Sequence, residues 1–492
     1  MSVVRLDEHV MGEILCFCDV QGVLRVSQVN KYCQHIAFSK YVWISLIRDL
    51  EFRGLRDRDP QLQLDAYTTQ ALVDMAKSVV LGPRTWSPAS AVPPTLSREI
   101  VVSLDKSFGP TEDAAVNLLP GGTHFTMYAG LRSFSLGVVA TRRRIWRYET
   151  PHWLPSSVEV KDGGEVAVFA FRTAGQPGYI EVIEINLLTE ESLMALRLPS
   201  YPAHAFLDLS GDFLLPTSSY REAINEVQVI NWRENTRIRL VFSTNVIDAA
   251  AAAIVGNYLI VVHRADQSLQ LVVYALDSLS WPSALSSPPA TTHIPAASLI
   301  LPFANVGGIT RSQVTAHKHP TRRDAHLVML DVFQSQMPPT SAARSRSFCG
   351  LWSRIRGRKQ PVVADNIWRI RYTLSLTSSQ AKGAGSVPAP TLALNSTTPN
   401  FDQRVQTLSR YYIKVHGRHD AGSSSDCVVL YEGCPGRDES CIRDRSKRET
   451  RPRRVMQWPR RNPVSSPWPS LGLYSSAVLL MEERLMRILY YQ

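Results

Sequence analysis

Seven cysteines in 492 residues, at Cys16, Cys18, Cys33, Cys349, Cys427, Cys434 and Cys441, are odd in number and scattered. That is the pattern of a reducing compartment and excludes a disulfide framework. Cys427, Cys434 and Cys441 are evenly spaced, but no Cys-x-x-Cys or nearby His pair completes a tetrahedral zinc set. Long apolar runs are also missing. The most apolar stretch, Ala249 to Val262, is broken by Gly256 and Asn257 and falls short of the ~20 residues that span a bilayer. The opening MSVVRLDEHVMG alternates charged and apolar groups and lacks the apolar core of a signal peptide. There is no Gly-x-x-x-x-Gly-Lys phosphate loop, His-Glu-x-x-His helix, Gly-x-Ser-x-Gly elbow or Gly-x-Gly-x-x-Gly after a strand. The twelve histidines are dispersed, and the closest set, His317 with His319, has no carboxylate placed to share a metal. The expectation is a non-enzymatic protein of the cytoplasm, the nucleus or both, with no metal, cofactor or membrane segment.

What is present is ordinary globular composition, 44% hydrophobic and 20% charged, on a chain long enough for a small module and a large domain. The net charge of +11 is local. Two loop-like tracts, RSRSFCGLWSRIRGRKQ (Arg344 to Gln360) and RDRSKRETRPRRVMQWPRR (Arg443 to Arg461), hold much of it. Without an aromatic ladder or helix-turn-helix pattern they read as solvated insertions, with nucleic-acid binding the alternative.

From Leu6 the chain runs LDEHVMGEILCFCDVQGVLRVSQVNKYCQHIAFSKYVWISL. Leu6, Val10, Ile14, Leu15 and Phe17 recur at helical spacing, and Asp19 is placed to cap a second short helix carrying Val23, Leu24 and Val26. Ser27 is expected to cap a third, with Val29, Cys33, Ile36 and Ala37 as its stripe and Trp43 just beyond a break at Ser39. Three short helices cannot cover all these faces among themselves, so apolar surface is left over.

This segment resembles an F-box, the module that joins a substrate receptor to the adaptor of a cullin-RING ubiquitin ligase. The likeness is gapless from Leu6 to about Leu46 and rests on Glu13 to Leu15, Asp19, Val23 to Arg25, Ser27 to Lys31 and Trp43. Leu6-Asp7 stands where Leu-Pro is usual, and Cys18 where leucine is common. The resemblance implies that Leu6, Ile14, Leu15, Leu24, Val29 and Trp43 meet the adaptor, and through it a cullin. The following YTTQALVDMAKSVVLGPRTW predicts a helix capped at Thr68 or Thr69, with Leu72, Met75, Ala76, Val79 and Val80 as its stripe and Gly82 as its stop. It is similar to the linker helix of a group of fungal F-box proteins.

After residue 95 the period becomes strand-like. LPGGTHFTMYA, KDGGEVAVFAF, DLSGDFLLPTS and AIVGNYLIVVH each place a glycine turn before an apolar strand, at intervals of about 42 to 47 residues. RRRIWRYET, YIEVIEINLLT, EVQVINWRENT and LQLVVYALDSL supply a second strand each, and INWRENTRIRLVF resembles the Trp-Asp strand and turn of a WD repeat. HLVMLDVF, NIWRIRYTLSL, YYIKVH, DCVVLYEG and the hairpin LYSSAVLLMEERLMRILYYQ continue the pattern. Strand units that cannot bury their faces alone stack radially.

The expected fold is therefore mainly β with an N-terminal α module. F-box helices occupy residues 1–50, a linker with a helix 51–94, and a degenerate six- to eight-bladed WD-like β-propeller 95–492, with disordered insertions near 280–300, 335–360, 377–400 and 435–465. The expected function is a non-catalytic substrate receptor holding a protein substrate on the propeller for ubiquitination. The alternative is a scaffold whose F-box no longer functions and whose basic loops bind nucleic acid or an acidic partner.

Overall fold

The computed structural model describes residues 6–59 and 62–81, then strands and turns in stretches between 96 and 334, and beyond that only the strands between 366 and 491. Helices α1 (Glu8–Cys16), α2 (Val20–Ser27), α3 (Lys31–Ala37), α4 (Lys40–Phe52) and α5 (Thr69–Leu81) come first. Strand β1 (Leu96–Ser103) follows. The next strands fall into antiparallel sheets in strict chain order. Sheet I is β2 (Ala115–Leu118), β3 (His124–Ala129), β4 (Ser133–Val138) and β5 (Arg144–Glu149). Sheet II is β6 (Pro155–Val160), β7 (Val166–Thr173), β8 (Tyr179–Asn186) and β9 (Ser192–Pro199). Sheet III is β10 (Phe206–Ser210), β11 (Phe213–Thr217), β12 (Ile224–Asn231) and β13 (Thr236–Val246). Sheet IV is β14 (Ala252–Val255), β15 (Tyr258–Ala265), β16 (Ser268–Ala275) and β17 (Ala297–Leu301). Sheet V is β18 (Ile309–Lys318), β19 (Ala325–Gln334), β20 (Asn366–Leu376) and β21 (Pro390–Pro399). Sheet VI is β22 (Tyr411–His416), β23 (Cys427–Glu432) and β24 (Arg454–Gln457). Sheet VII joins β25 (Ser470–Leu471), β26 (Ala477–Glu482) and β27 (Leu485–Tyr491) to β1, which pairs with β27 from Leu96↔Tyr491 to Ser103↔Leu485.

The glycine repeat marks the hairpin between the first two strands of a sheet. Gly121, Gly122, Gly163, Gly164, Gly211 and Gly256 all have positive φ, backbone that glycine adopts without a Cβ penalty. In sheets I and II the turn is the same: Gly122 N donates to Leu119 O at 3.0 Å, and Gly164 N to Lys161 O at 3.0 Å. Buried clusters join neighbouring sheets wherever side chains are described. One cluster joins Phe134 and Leu136 of sheet I to Phe169 and Ile183 of sheet II. A second joins Val182 to Leu207 and Leu214 of sheet III, and a third runs from Leu215 through Ile260 to Leu330 across sheets III, IV and V. A fourth joins Met127 of sheet I to Leu479 and Ile488 of sheet VII, closing the order on itself. Side chains stitch first strands together: Asp208 accepts from Ile254 N at 3.0 Å and Ser210 from Gly256 N at 2.8 Å. The architecture is mainly β, with sheets packed face to face in propeller-like succession.

Several expectations need correction. The units hold four strands where the sequence pattern named two: RIWRYE is the fourth of its sheet, and YIEVIEIN, INEVQVIN and SLQLVVYA are thirds. The Ser/Pro/Ala-rich tracts expected as insertions contain β17 and β21, and the second basic tract contains β24; apart from Trp281, Pro295, Ala296 and the end of β20, the rest of those tracts lies outside the described residues. Most important, one hydrophobic cluster runs from Leu15 through Trp43, Leu55 and Leu64 to Leu72 and Ala76. Residues 1–50 and the expected linker helix therefore share one core, and the helical module is α1 to α5.

Candidate docking faces of the helical module

Asp7, which stands where proline is usual in the resembling family, caps α1 by accepting from His9 N at 2.8 Å. Asp19 caps α2, accepting from Gly22 N at 2.6 Å. The cap of α3 is Asn30, accepting from Cys33 N at 2.8 Å; Ser27, expected in that role, closes α2 and donates to Leu24 O. The chain breaks at Ser39 as expected, but Trp43 beyond it lies inside a fourth helix, α4. Thr68 caps α5 by accepting from Ala71 N at 3.2 Å. A Cβ added at Gly12 would overlap the Tyr41 phenol, so α1 and α4 approach closely there.

The six residues expected at an adaptor surface divide. Leu15 and Trp43 are each 1% exposed and belong to the module's core. The Trp43 indole donates to Ala37 O at 2.9 Å and stacks on Phe38 at 5.9 Å. A side chain already packed on all sides offers nothing to a partner, so both are corrected from interface to core. Leu6, Ile14, Leu24 and Val29 are 45%, 47%, 37% and 69% exposed. Leu6 precedes α1, with its carbonyl held by Tyr32 Oη at 2.8 Å. Ile14 is on the outer side of α1 with exposed Val10, Leu24 is on α2, and Val29 sits between α2 and α3.

The other side of the module is docked on the sheets. Gly163 N in the sheet II turn donates to Phe52 O at 2.7 Å, and Arg58 N donates to Gly121 O in the sheet I turn at 2.9 Å. Asp59 pairs with Arg98 of β1. At the β18–β19 turn Arg53 donates to His319 O at 2.9 Å. Arg323 there donates to Phe17 O at 2.8 Å and pairs with Asp49 at 2.8 Å. Residues 52–59 with Arg323 thus tie the module to sheets I, II, V and VII on the side carrying the glycine turns. Sequence reasoning missed these contacts, which join backbone carbonyls and charged side chains 39 to 306 positions apart. Burial raises the Cys16 and Cys18 thiols above their ordinary pKa, which keeps both protonated.

Tryptophans and arginines of the sheets have packing, pairing or turn roles. Trp232 is buried, donates to Gly211 O at 3.1 Å and carries Arg233 4.4 Å over its ring. Trp146 stacks on Tyr148 at 5.6 Å in the seam with Phe134 and Phe169. Arg142 takes a positive φ in a turn, Arg143 pairs with Glu190, and Arg144 begins β5. Trp153, Cys349, Cys434, Cys441 and the tract Arg344 to Gln360 lie outside the described residues. His317 lies in β18, and the ring of His319 bonds Thr321. Among the described residues no three His, Cys, Asp or Glu side chains gather to hold a metal, and no helix is long and apolar enough to cross a membrane.

No family model matches the chain, and no curated protein matches it. Solved structures similar to it include the β-propeller domain of Cps50 (Swd1) from Myceliophteria thermophila, at 10% identity and TM-score 0.40 over 81% of this chain and 100% of that one. The WD40 domain of SCAP from fission yeast is similar at 12% identity and TM-score 0.35, over 77% and 84%. Kuenenia stuttgartiensis hydrazine synthase is similar at 10% identity and TM-score 0.33, over 70% and 79%.

Proposed function

We propose that this chain is a non-catalytic substrate receptor: its helical module docks the adaptor of a cullin-RING ubiquitin ligase, and a seven-bladed WD-like propeller holds a protein substrate for ubiquitination. The F-box resemblance from Leu6 to Leu46 supplies the identity of the partner. One observation carries the reading. Leu6, Val10, Ile14, Leu24 and Val29 stay exposed on a module that has closed its own core and docked its other side. That much uncovered aliphatic surface on so small a unit is what a protein interface requires. The seven sheets, with β1 added to the last, support the blade count.

The experiment is co-purification of the intact chain with purified adaptor. Ile14→Asp with Leu24→Asp places two charges on the exposed side of α1 and α2, away from the core. Adaptor binding is expected to disappear while the melting transition stays in place. A wild-type chain that shows no adaptor binding at micromolar concentrations would replace this reading with that of a scaffold.

A further inference from the structure

A second feature of the module is unrelated to the outer side of α1. Ser45, Arg48, Asp49 and Phe52 are spaced i, i+3, i+4 and i+7 and share one side of α4, opposite the buried Trp43, Ile47 and Leu50. That side forms one wall of a cleft of about 1030 Å3 between the helices and the sheets. The end of α1 at Cys16 and Phe17, Arg58, Asp59, residues 62–65, Thr123 of the sheet I turn and Arg323 of the sheet V turn line it with Glu51.

The carboxylates of this lining are largely satisfied. Asp49 pairs with Arg323 at 2.8 Å and Arg53 at 3.6 Å, Glu51 with Arg56, and Asp59 with Arg98. Arg48 and Arg58 are exposed and make no salt bridge among the described residues. Phe17, 77% exposed, and Phe52, 55% exposed, flank them. Burial raises the Glu51 carboxyl despite the opposing pull of Arg56, Arg58 and Arg48. Charge pairs made beside such a desolvated wall are worth more than in open water.

We propose that this cleft is a docking site for an acidic peptide segment of a partner protein, its carboxylates paired to Arg48 and Arg58 and an apolar side chain seated between Phe17 and Phe52. Guanidinium groups offer carboxylates paired donors, and aromatics with arginines are the commonest interface anchors. A nucleic acid strand fits less well. Its phosphates repeat continuously and would have to pass exposed Asp65, whereas a peptide spaces its carboxylates and brings backbone donors that the side chains of Asp65 and Gln63 accept. The site stands apart from the adaptor reading, because Leu6, Ile14, Leu24 and Val29 do not line it.

The test is fluorescence anisotropy on the intact chain with a labelled peptide alternating glutamate with leucine and phenylalanine. The same peptide with lysine for glutamate and a labelled oligothymidylate are the comparisons. Saturable, salt-sensitive binding of the acidic peptide alone is expected. Arg48→Glu with Arg58→Glu should weaken it by about tenfold or more, and Phe17→Ser should weaken it several-fold, all with the wild-type melting temperature. Failure of the acidic peptide to saturate, or equal binding by the charge-reversed variant, would overturn the proposal. Tighter binding of oligothymidylate that Arg48→Glu with Arg58→Glu abolishes would assign the cleft to nucleic acid instead.

Discussion

Replacing Trp43 by alanine separates core from interface. Trp43 is enclosed by the cluster that includes Leu15, Ile36, Ile47 and Leu72, donates its indole N–H to Ala37 O and stacks on Phe38. Truncating a buried tryptophan costs about 3–5 kcal/mol. At roughly 0.05–0.15 kcal/mol per residue, a module of this length holds on the order of 4–11 kcal/mol, so the change removes about a quarter of its stability at the least. Ile14→Ala, at a half-exposed position, should cost no more than about 1 kcal/mol. Hydrogen exchange on peptides from α1 to α4, with β7 and β8 as internal reference, reads both effects. For Trp43→Ala, protection in the helices should fall by roughly a hundredfold or more while the reference strands hold. Ile14→Ala should leave the helices within about tenfold of wild type. A drop below tenfold for Trp43→Ala would refute its place in the core and return it to the list of surface contacts.

Three other outcomes follow from the same contacts. Arg323→Ala removes the bonds to Phe17 O and Asp49 and should loosen the module by about 1–2 kcal/mol, seen as faster exchange at the end of α1 and in the β18–β19 turn with sheets II and III unchanged. Burial depresses His124 to about 4; the unfolded chain therefore binds its proton first, and stability present above about pH 6.5 is lost as pH falls toward 4. Urea titrations of His124→Gln should show that loss abolished, on the order of 3 kcal/mol. Buried Asp208, raised to about 6, works in the opposite direction, so Asp208→Asn should remove a gain that wild type shows as pH falls through 6 toward 4. Finally, a chain of residues 60–492 keeps Leu64, Leu72 and Ala76 but loses the helices that cover them; it should aggregate or melt lower than wild type, where truncation at a true domain boundary would leave the transition unchanged.

Local chemistry was legible in the sequence. Positive-φ glycines at 121–122, 163–164, 211 and 256 and the cap at Thr68 are written in a few adjacent residues, and so is the final hairpin with its turn after Glu482. Strands such as SFSLGV and SLMALRLP escaped because each lies outside the glycine-marked hairpin, where no turn residue announces it. The three-helix expectation failed at Ser39, which starts α4. Tryptophan, which serves both cores and interfaces, gave no sign at Trp43 of which role it has. The cleft was invisible for a different reason. Arg48, Phe52, Arg58 and Arg323 gain meaning only when α4 is laid against turns contributed by distant sheets.

The pairing of β1 with β27 has a consequence in time. A ribosome releases Leu96–Ser103 long before Leu485–Tyr491 exists, so during synthesis β1 waits with its hydrogen-bonding edge open while every intervening sheet assembles. Contacts of such long sequence separation form slowly, and an unpaired edge meanwhile invites other strands. In the folded chain Asp59, paired with Arg98 of β1, holds the helical module beside that strand.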